Sequence, residues 1–365
     1  MNLDFLPSRT LTAYLAKMFI TRILAVLLML VLVLMMMDLL SESGKILAAP
    51  GNGQAELLTY ASLRVPQLIA RFLPYSVLLA TLITLVGLNQ NSEVIAMKAA
   101  GLSAHQVLAP LVLTAAAVSL VSFAFNERVV TRSTATLKAW QANAYGSVPP
   151  DSDVRANVYV TDGANILAAA SVSGNGAAMT MRGVTYYQRS DTGMIVERIT
   201  APTARYANPG WRLEQAQRFE VQGANVSSAP SLVVGRGVTP QQIELAKVDP
   251  ETKSFTTLTD SIARYEDAGR NADELRAGWW HKLSGPLSAM LMPILGSIAA
   301  FGLARSGQLF VRALIGMALG FAYFVVDNAA LAMGGFGGYP PFLAAFAPFF
   351  LFLLIGETML IRTEE

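Results

Sequence analysis

The side chains that could do chemistry in this chain are few and scattered. There are two histidines, His105 and His281, and no cysteine, which excludes thiol nucleophiles, thiolate metal sites and disulfide scaffolds. Neither histidine has a carboxylate cluster near it in sequence, so each reads as an interfacial side chain rather than a base or a metal ligand. No GxxxxGK(S/T), HExxH or GxSxG pattern occurs, and Gly44-Lys45 has no phosphate-loop context. The sequence therefore points away from an enzyme, with no catalytic residue, no metal and no cofactor in this chain.

What chemistry remains belongs to ionisable groups set among apolar residues. A charge at the centre of a bilayer costs at least about 2.5 kcal/mol, so such groups tend to face a protein interior or a cavity. Asp38 closes the first apolar run, Arg71 stands beside Phe72 in the second, and Asp327 precedes Asn328 in the fifth. Asp38 reads as interfacial, and Asp327 with Asn328 as a helix-packing polar pair. Arg71 either snorkels to the headgroups or lines a cavity. Proton relay by these acids is a further option, although they lie far apart in sequence.

The elements that must position these groups are membrane helices. Hydrophobic residues make up 53% of the chain and charged residues 14%, well off the averages for soluble domains, so this is an integral membrane protein. A net charge of +2 without a Lys/Arg-rich run excludes nucleic acid as a partner. Apolar runs of roughly 20 residues, the length that crosses a bilayer core, lie at about 19–40, 65–88, 107–125, 283–303, 310–333 and 341–361. The first is too long for a cleavable signal peptide, whose apolar core is about 7 to 15 residues. A polar loop is expected at 41–64, the second run is entered at Pro66, and Pro74 is expected to kink it.

From Asn126 to Lys282 no run is long enough to span. Short β-rich stretches occur at 157–161, 165–170, 179–188, 194–200 and 218–221. Asp162-Gly163, Asp191-Thr192-Gly193 and Asn208-Pro209-Gly210 separate them, which predicts a sandwich or jelly roll. Helical stretches follow at about 257–268 and 272–282, and Trp279-Trp280 mark a membrane interface. The expected fold is a membrane α-helical protein of six transmembrane helices with an inserted all-β, jelly-roll-like domain. Its parts are a first transmembrane half at 1–125, a β domain at 126–256, and connecting helices with a second half at 257–365. Arg9, Lys17, Arg22, Lys98, Arg305 and Arg312 all fall on one side if both termini are cytoplasmic, which puts the β domain outside the cytoplasm.

Between the second and third runs lies a short polar stretch, Asn89 to Ser103, that predicts a helix at about 91–101. Asn91 or Ser92 is available as N-cap, Glu93 falls in the first turn where the dipole favours an anion, and Gly101 is placed to end it. Two readings fit, a helix lying at the membrane surface and a docking element for a cytoplasmic partner.

Several stretches together resemble a known family: NSEVIAMKAAGLS at 91–103, VPQLIARFLP at 65–74, ERITAPTARYANPGWRLEQ at 197–215, HKLSGPLSAMLMPILG at 281–296 and FAYFVVDN at 321–328. Their order and spacing over nearly the full length resemble the lipopolysaccharide-export permease family LptF/LptG, and the LptG branch most. The resemblance implies six spans with a periplasmic β-jellyroll between the third and fourth. It implies a permease subunit of an ABC transporter in the bacterial inner membrane, which extracts lipopolysaccharide and passes it to a periplasmic bridge. The implied partners are a cytoplasmic ATPase, LptB, acting as a dimer and using the ATP and Mg, the paralogous permease LptF, LptC with the periplasmic jelly-roll bridge, and membrane lipids.

In that family the helix after the second span is a coupling helix docked into a groove of the ATPase. The implied ATPase-coupling residues are Ser92, Glu93, Val94, Ile95, Met97, Lys98 and Gly101. Glu93 would meet a basic residue, Val94, Ile95 and Met97 would form the apolar face, and Lys98 a rim charge. For the substrate cavity, Lys138 matches a basic rim position and Phe72 an aromatic wall position. Where the family carries lysines at the end of the first span this chain has Met35, Ser41 and Glu42, and Lys45 and Arg71 are placed to compensate. Gln141 also replaces an arginine. A lipoprotein-release or MacB-like permease is the alternative within the class, though those usually have four spans. A non-transporting, membrane-anchored envelope-binding protein would not need the cytoplasmic helix.

Overall fold

The computed structural model describes residues 7–142, 144–146, 155–174, 176–190, 192–244, 248–267, 269–300 and 309–362. Helix α1 runs Arg9–Ala48, 40 residues, and opens on Ser8, whose hydroxyl accepts from the Leu11 N–H at 3.4 Å. Helix α2 follows at Gln54–Gln90, its first N–H groups answered in part by Glu56, which accepts from Gly53 N–H at 2.6 Å. The polar loop expected at 41–64 is therefore almost all helix, and α2 begins well before Pro66. Ser, Glu, Lys and Gln lower hydropathy yet cost a helix little, so loss of the apolar pattern is not loss of the helix. What ends α1 is Pro50 with Gly51, whose φ of +88° is a conformation that suits glycine. Both Pro66 and Pro74 lie inside α2.

Helix α3 is Glu93–Ala99, and α4 is Ala104–Phe125, started by a reciprocal Ser103–Gln106 capping box. The chain does not leave the helix at Phe125. A π turn at Asn126–Val130 carries it into α5, Thr131–Ala142.

Six strands follow: β1 Arg155–Asp162, β2 Asn165–Ser173, β3 Thr180–Arg189, β4 Ile195–Ala207, β5 Gly210–Glu220 and β6 Asn225–Val234. They form one antiparallel sheet in sequence order. Alternation buries Leu167, Val184, Ile199, Ala201, Trp211 and Leu213 on one face, where Val238 and Ile243 pack against them, Ile243 from the short helix α6, Pro240–Glu244. Short turns at Gly163, Gly193 and Asn208-Pro209 set each strand beside the next, which gives a meander. Among the described residues the strands pair only with their sequence neighbours, and the cross-pairings that close a jelly roll are not among them. Strand β6 escapes a sequence reading because most of its residues are exposed and it is rich in serine. Asp162 ties the sheet's edge together, accepting from Tyr186 Oη at 3.0 Å and from Gly237 N–H at 3.1 Å. Burial first, and that carboxylate second, push the Tyr186 phenol up to about 12.

The return to the bundle passes a turn at Pro250–Thr252 and α7, Phe255–Asp267, then α8, Asp273–Ala300, α9, Leu309–Gly335, and α10, Pro341–Arg362. The helical stretch at 272–282 and the described part of the fourth apolar run, 283–300, are one helix. Arg305, counted for orientation, and Asp191, counted as a turn residue, lie outside the described residues. Five of the described helices are long and apolar enough to cross a membrane: α1, α2, α4 with α5, α9 and α10. Helix α8 packs against α2, α4, α9 and α10 and buries Leu291, Met292 and Leu295 completely.

Glycines let the long helices approach closely, the usual device between membrane helices. A Cβ at Gly334 of α9 would overlap the methyl of Ala344 on α10, which has no flexible end to swing away. Gly334→Val is expected to destabilise the purified protein by about 1–3 kcal/mol through overpacking. An unchanged thermal midpoint in detergent would contradict this packing.

Candidate functional site

Two tyrosine–carboxylate contacts mark the two ends of α1. At the first end, α3 lies between Ser92, with φ +58°, and Gly101, with φ +86°. Ser92 occupies the N-cap position, but its hydroxyl makes no capping bond, so only the position was legible in the sequence. Val94 and Met97 are buried with Leu15, Phe19, Leu88 and Val107 in the bundle's own core. Of the three residues expected to form an apolar docking face, these two thus face the bundle. Residues 94 and 97 are three apart and share one face, while Ile95 and Lys98, also three apart, share another. Ile95 is 54% exposed and Lys98 is exposed, so that second face is the one α3 turns away from the bundle. Glu93 sits at the junction of the two, half-buried, and its Oε2 accepts from Tyr14 Oη of α1 at 3.2 Å. Tyr14 carried no local signal, being 79 residues away.

At the other end, Glu42 of α1 accepts from Tyr145 Oη at 2.6 Å and pairs with Lys45 at 2.8 Å. Asn52 donates to the carbonyls of Tyr145 and Ile46 at 2.8 and 2.9 Å, tying the α1–α2 turn to the segment after α5. Tyr145 has φ +58° and packs edge-on against Trp140 and Tyr60. Burial, then the hydrogen bond to Glu42, holds its phenol well above the usual range. Asp38 is more than an interfacial acid, because Arg64 Nε meets it at 2.5 Å and the same guanidinium reaches Gln67 at 2.9 Å. Lys138 is answered from within, by Asp249 at 2.6 Å and Glu251 at 2.9 Å. Of the four expected cavity residues, Lys45 and Lys138 thus already have carboxylates. Arg71 is exposed and has no such partner among the described residues. Phe72 is half-buried against Tyr75, whose ring stacks on Phe324 of α9 at 3.9 Å.

Residues 13–362, from α1 to α10, match the family described as lipopolysaccharide export system permease LptF/LptG. The chain belongs to that family. It is 26% identical over 365 residues to the lipopolysaccharide export system permease protein LptG of Escherichia coli K12, covering 98% of this chain and 99% of that one. The LptG protein of Haemophilus influenzae is 22% identical over 316 residues, covering 85% and 87% respectively. With its spanning helices, this LptF/LptG-family chain is a multi-pass membrane permease.

Two further ionisable pairs of this LptF/LptG permease cross the bundle. Asp327 of α9 has an 8% exposed side chain and lies 3.9 Å from His281 Nδ1 of α8. Asn328 donates to the Phe324 carbonyl of its own helix at 2.7 Å, so of the expected helix-packing polar pair it is Asp327 that faces another helix. His105 of α4 lies 3.2 Å from Glu357 of α10. Both histidines, which look solitary in sequence, therefore face carboxylates brought to them by folding. Among the described residues no cluster could hold a metal ion.

Proposed function

We propose that this chain is one permease subunit of an ABC transporter that extracts lipopolysaccharide from the bacterial inner membrane and passes it to a periplasmic bridge. The observation that carries the reading is α3, a short helix set between two long apolar helices, presenting Glu93, Ile95 and Lys98 in a chain of a permease family. A permease without a nucleotide motif needs a separate motor. In this reading α3 docks to the cytoplasmic ATPase LptB, a dimer that binds the ATP and Mg. A second permease, LptF, completes the membrane unit.

We read α8 as the sixth span, both termini as cytoplasmic, and residues 126–256 as the periplasmic unit between helical halves at 1–125 and 257–365. Among the described residues β1 and β6 are the end strands of the sheet, which supports strand addition by LptC or a similar jelly roll. The experiment is purification from membranes in detergent, with every copurifying chain identified. An ATPase and a second six-span subunit are expected, and recovery with no ATPase would overturn the reading.

For the substrate, Lys45 and Lys138 are cations already answered by their own chain, which leaves Arg71, beside Phe72, as the expected cavity cation offered to lipid phosphates. Arg71→Glu is expected to lower crosslinking to a photoreactive lipopolysaccharide by roughly tenfold or more, the worth of a charge-assisted hydrogen bond. Undiminished crosslinking would move Arg71 out of the cavity.

A further inference from the structure

We infer that Tyr14 is a positioning residue for Glu93: its phenol sets the carboxylate in the orientation that a cationic group on the ATPase receives. The inference rests on the reading of α3 as the docking helix and goes beyond it, because Tyr14 lies on a different helix.

Helix α3 has seven residues, too few to be stable alone, and its N-cap serine makes no capping bond. Val94 and Met97 fix its backbone by burial, but nothing in that packing fixes the Glu93 side chain, which keeps its rotamer freedom unless another group holds it. Tyr14 is that group. Its Oη lies 3.2 Å from Oε2 and 3.5 Å from Oε1 of Glu93. Its neighbour Leu15 is completely buried in the core, so the backbone of Tyr14 is anchored while its ring, 47% exposed, stands out beside α3.

The chemistry of a phenol suits the task. It donates one hydrogen bond and leaves the carboxylate ionised, with further lone pairs open to a second donor. A lysine in its place would orient the carboxylate but also neutralise it. Glu93 is thus held in place and still anionic. Ordering before contact removes part of the rotamer cost of association, worth about two- to tenfold in affinity for one long side chain.

The test is a double-mutant cycle on the full-length chain in its detergent-solubilised permease complex, titrated with separately purified ATPase. Tyr14→Phe is expected to weaken binding by about two- to tenfold, and Glu93→Gln by more. The double variant is expected to bind no more weakly than Glu93→Gln alone. A phenol that merely supported α1 would cost the same in both backgrounds, and equal losses would overturn the inference. So would wild-type binding by Tyr14→Phe alongside weak binding by Glu93→Gln. Wild-type binding by Glu93→Gln would instead overturn the docking reading itself, so the two failures are told apart.

Discussion

Glu93→Ala is expected to weaken the association of the permease with the proposed cytoplasmic ATPase by about 30-fold to several thousandfold. That range corresponds to the roughly 2–5 kcal/mol lost when one member of a buried, hydrogen-bonded charge pair is truncated at an interface. The free chain should barely notice the change. Glu93 is only half-buried, it accepts from the partly exposed Tyr14, and α3 is held by Val94 and Met97 rather than by the carboxylate. Fold stability is therefore expected to shift by no more than about 0.5 kcal/mol, as for most exposed positions. The measurement pairs the dissociation constant of the ATPase with the thermal midpoint of the permease. A large loss of binding at unchanged stability is the expected result, and unchanged binding with unchanged export would remove Glu93 from the interface.

Trp211→Ala should have the largest effect on the sheet. The indole is fully buried, packs edge-on against Tyr206 with ring centroids 5.3 Å apart, and donates from Nε1 to the Val238 carbonyl at 2.9 Å. Truncation opens a large cavity and leaves that carbonyl without its donor, at a cost of about 3–5 kcal/mol. Because Val238 leads into α6, which covers the sheet's core, the loss is concentrated there. Limited proteolysis should cut the region 155–244 rapidly while the helical bundle stays protected. Equal resistance to wild type would show that the indole is not the keystone of that core.

That the chain is a multi-pass membrane protein was legible in the sequence because hydropathy reports burial in lipid directly, but the lengths of the helices were not. Residues 41–48 and 54–64 are helical although polar, since Glu, Lys, Ser and Gln satisfy a helix as well as they satisfy a loop. Helix α3 could be found because its signals are local, a capping position, an acid in the first turn and a terminal glycine. How its faces divide could not, because that depends on which side the bundle occupies. The long-range partners were invisible for the same reason. Tyr14 and Glu93 are 79 residues apart, Glu42 and Tyr145 are 103, and His105 and Glu357 are 252. No periodicity encodes such pairs.

Helix α1 joins two of those contacts. Between Tyr14 and Glu42 its sequence contains neither proline nor glycine, so the usual causes of a kink are missing along a rod of roughly 42 Å. One end grips α3 and the other grips the peptide that leads from α5 toward β1. Helix α3 and the segment that follows α5 are therefore connected in series through a single strut. A displacement of α3 either breaks the Tyr14 bond or travels with the strut, and a tilt of only 5° about one end moves the other by roughly 4 Å.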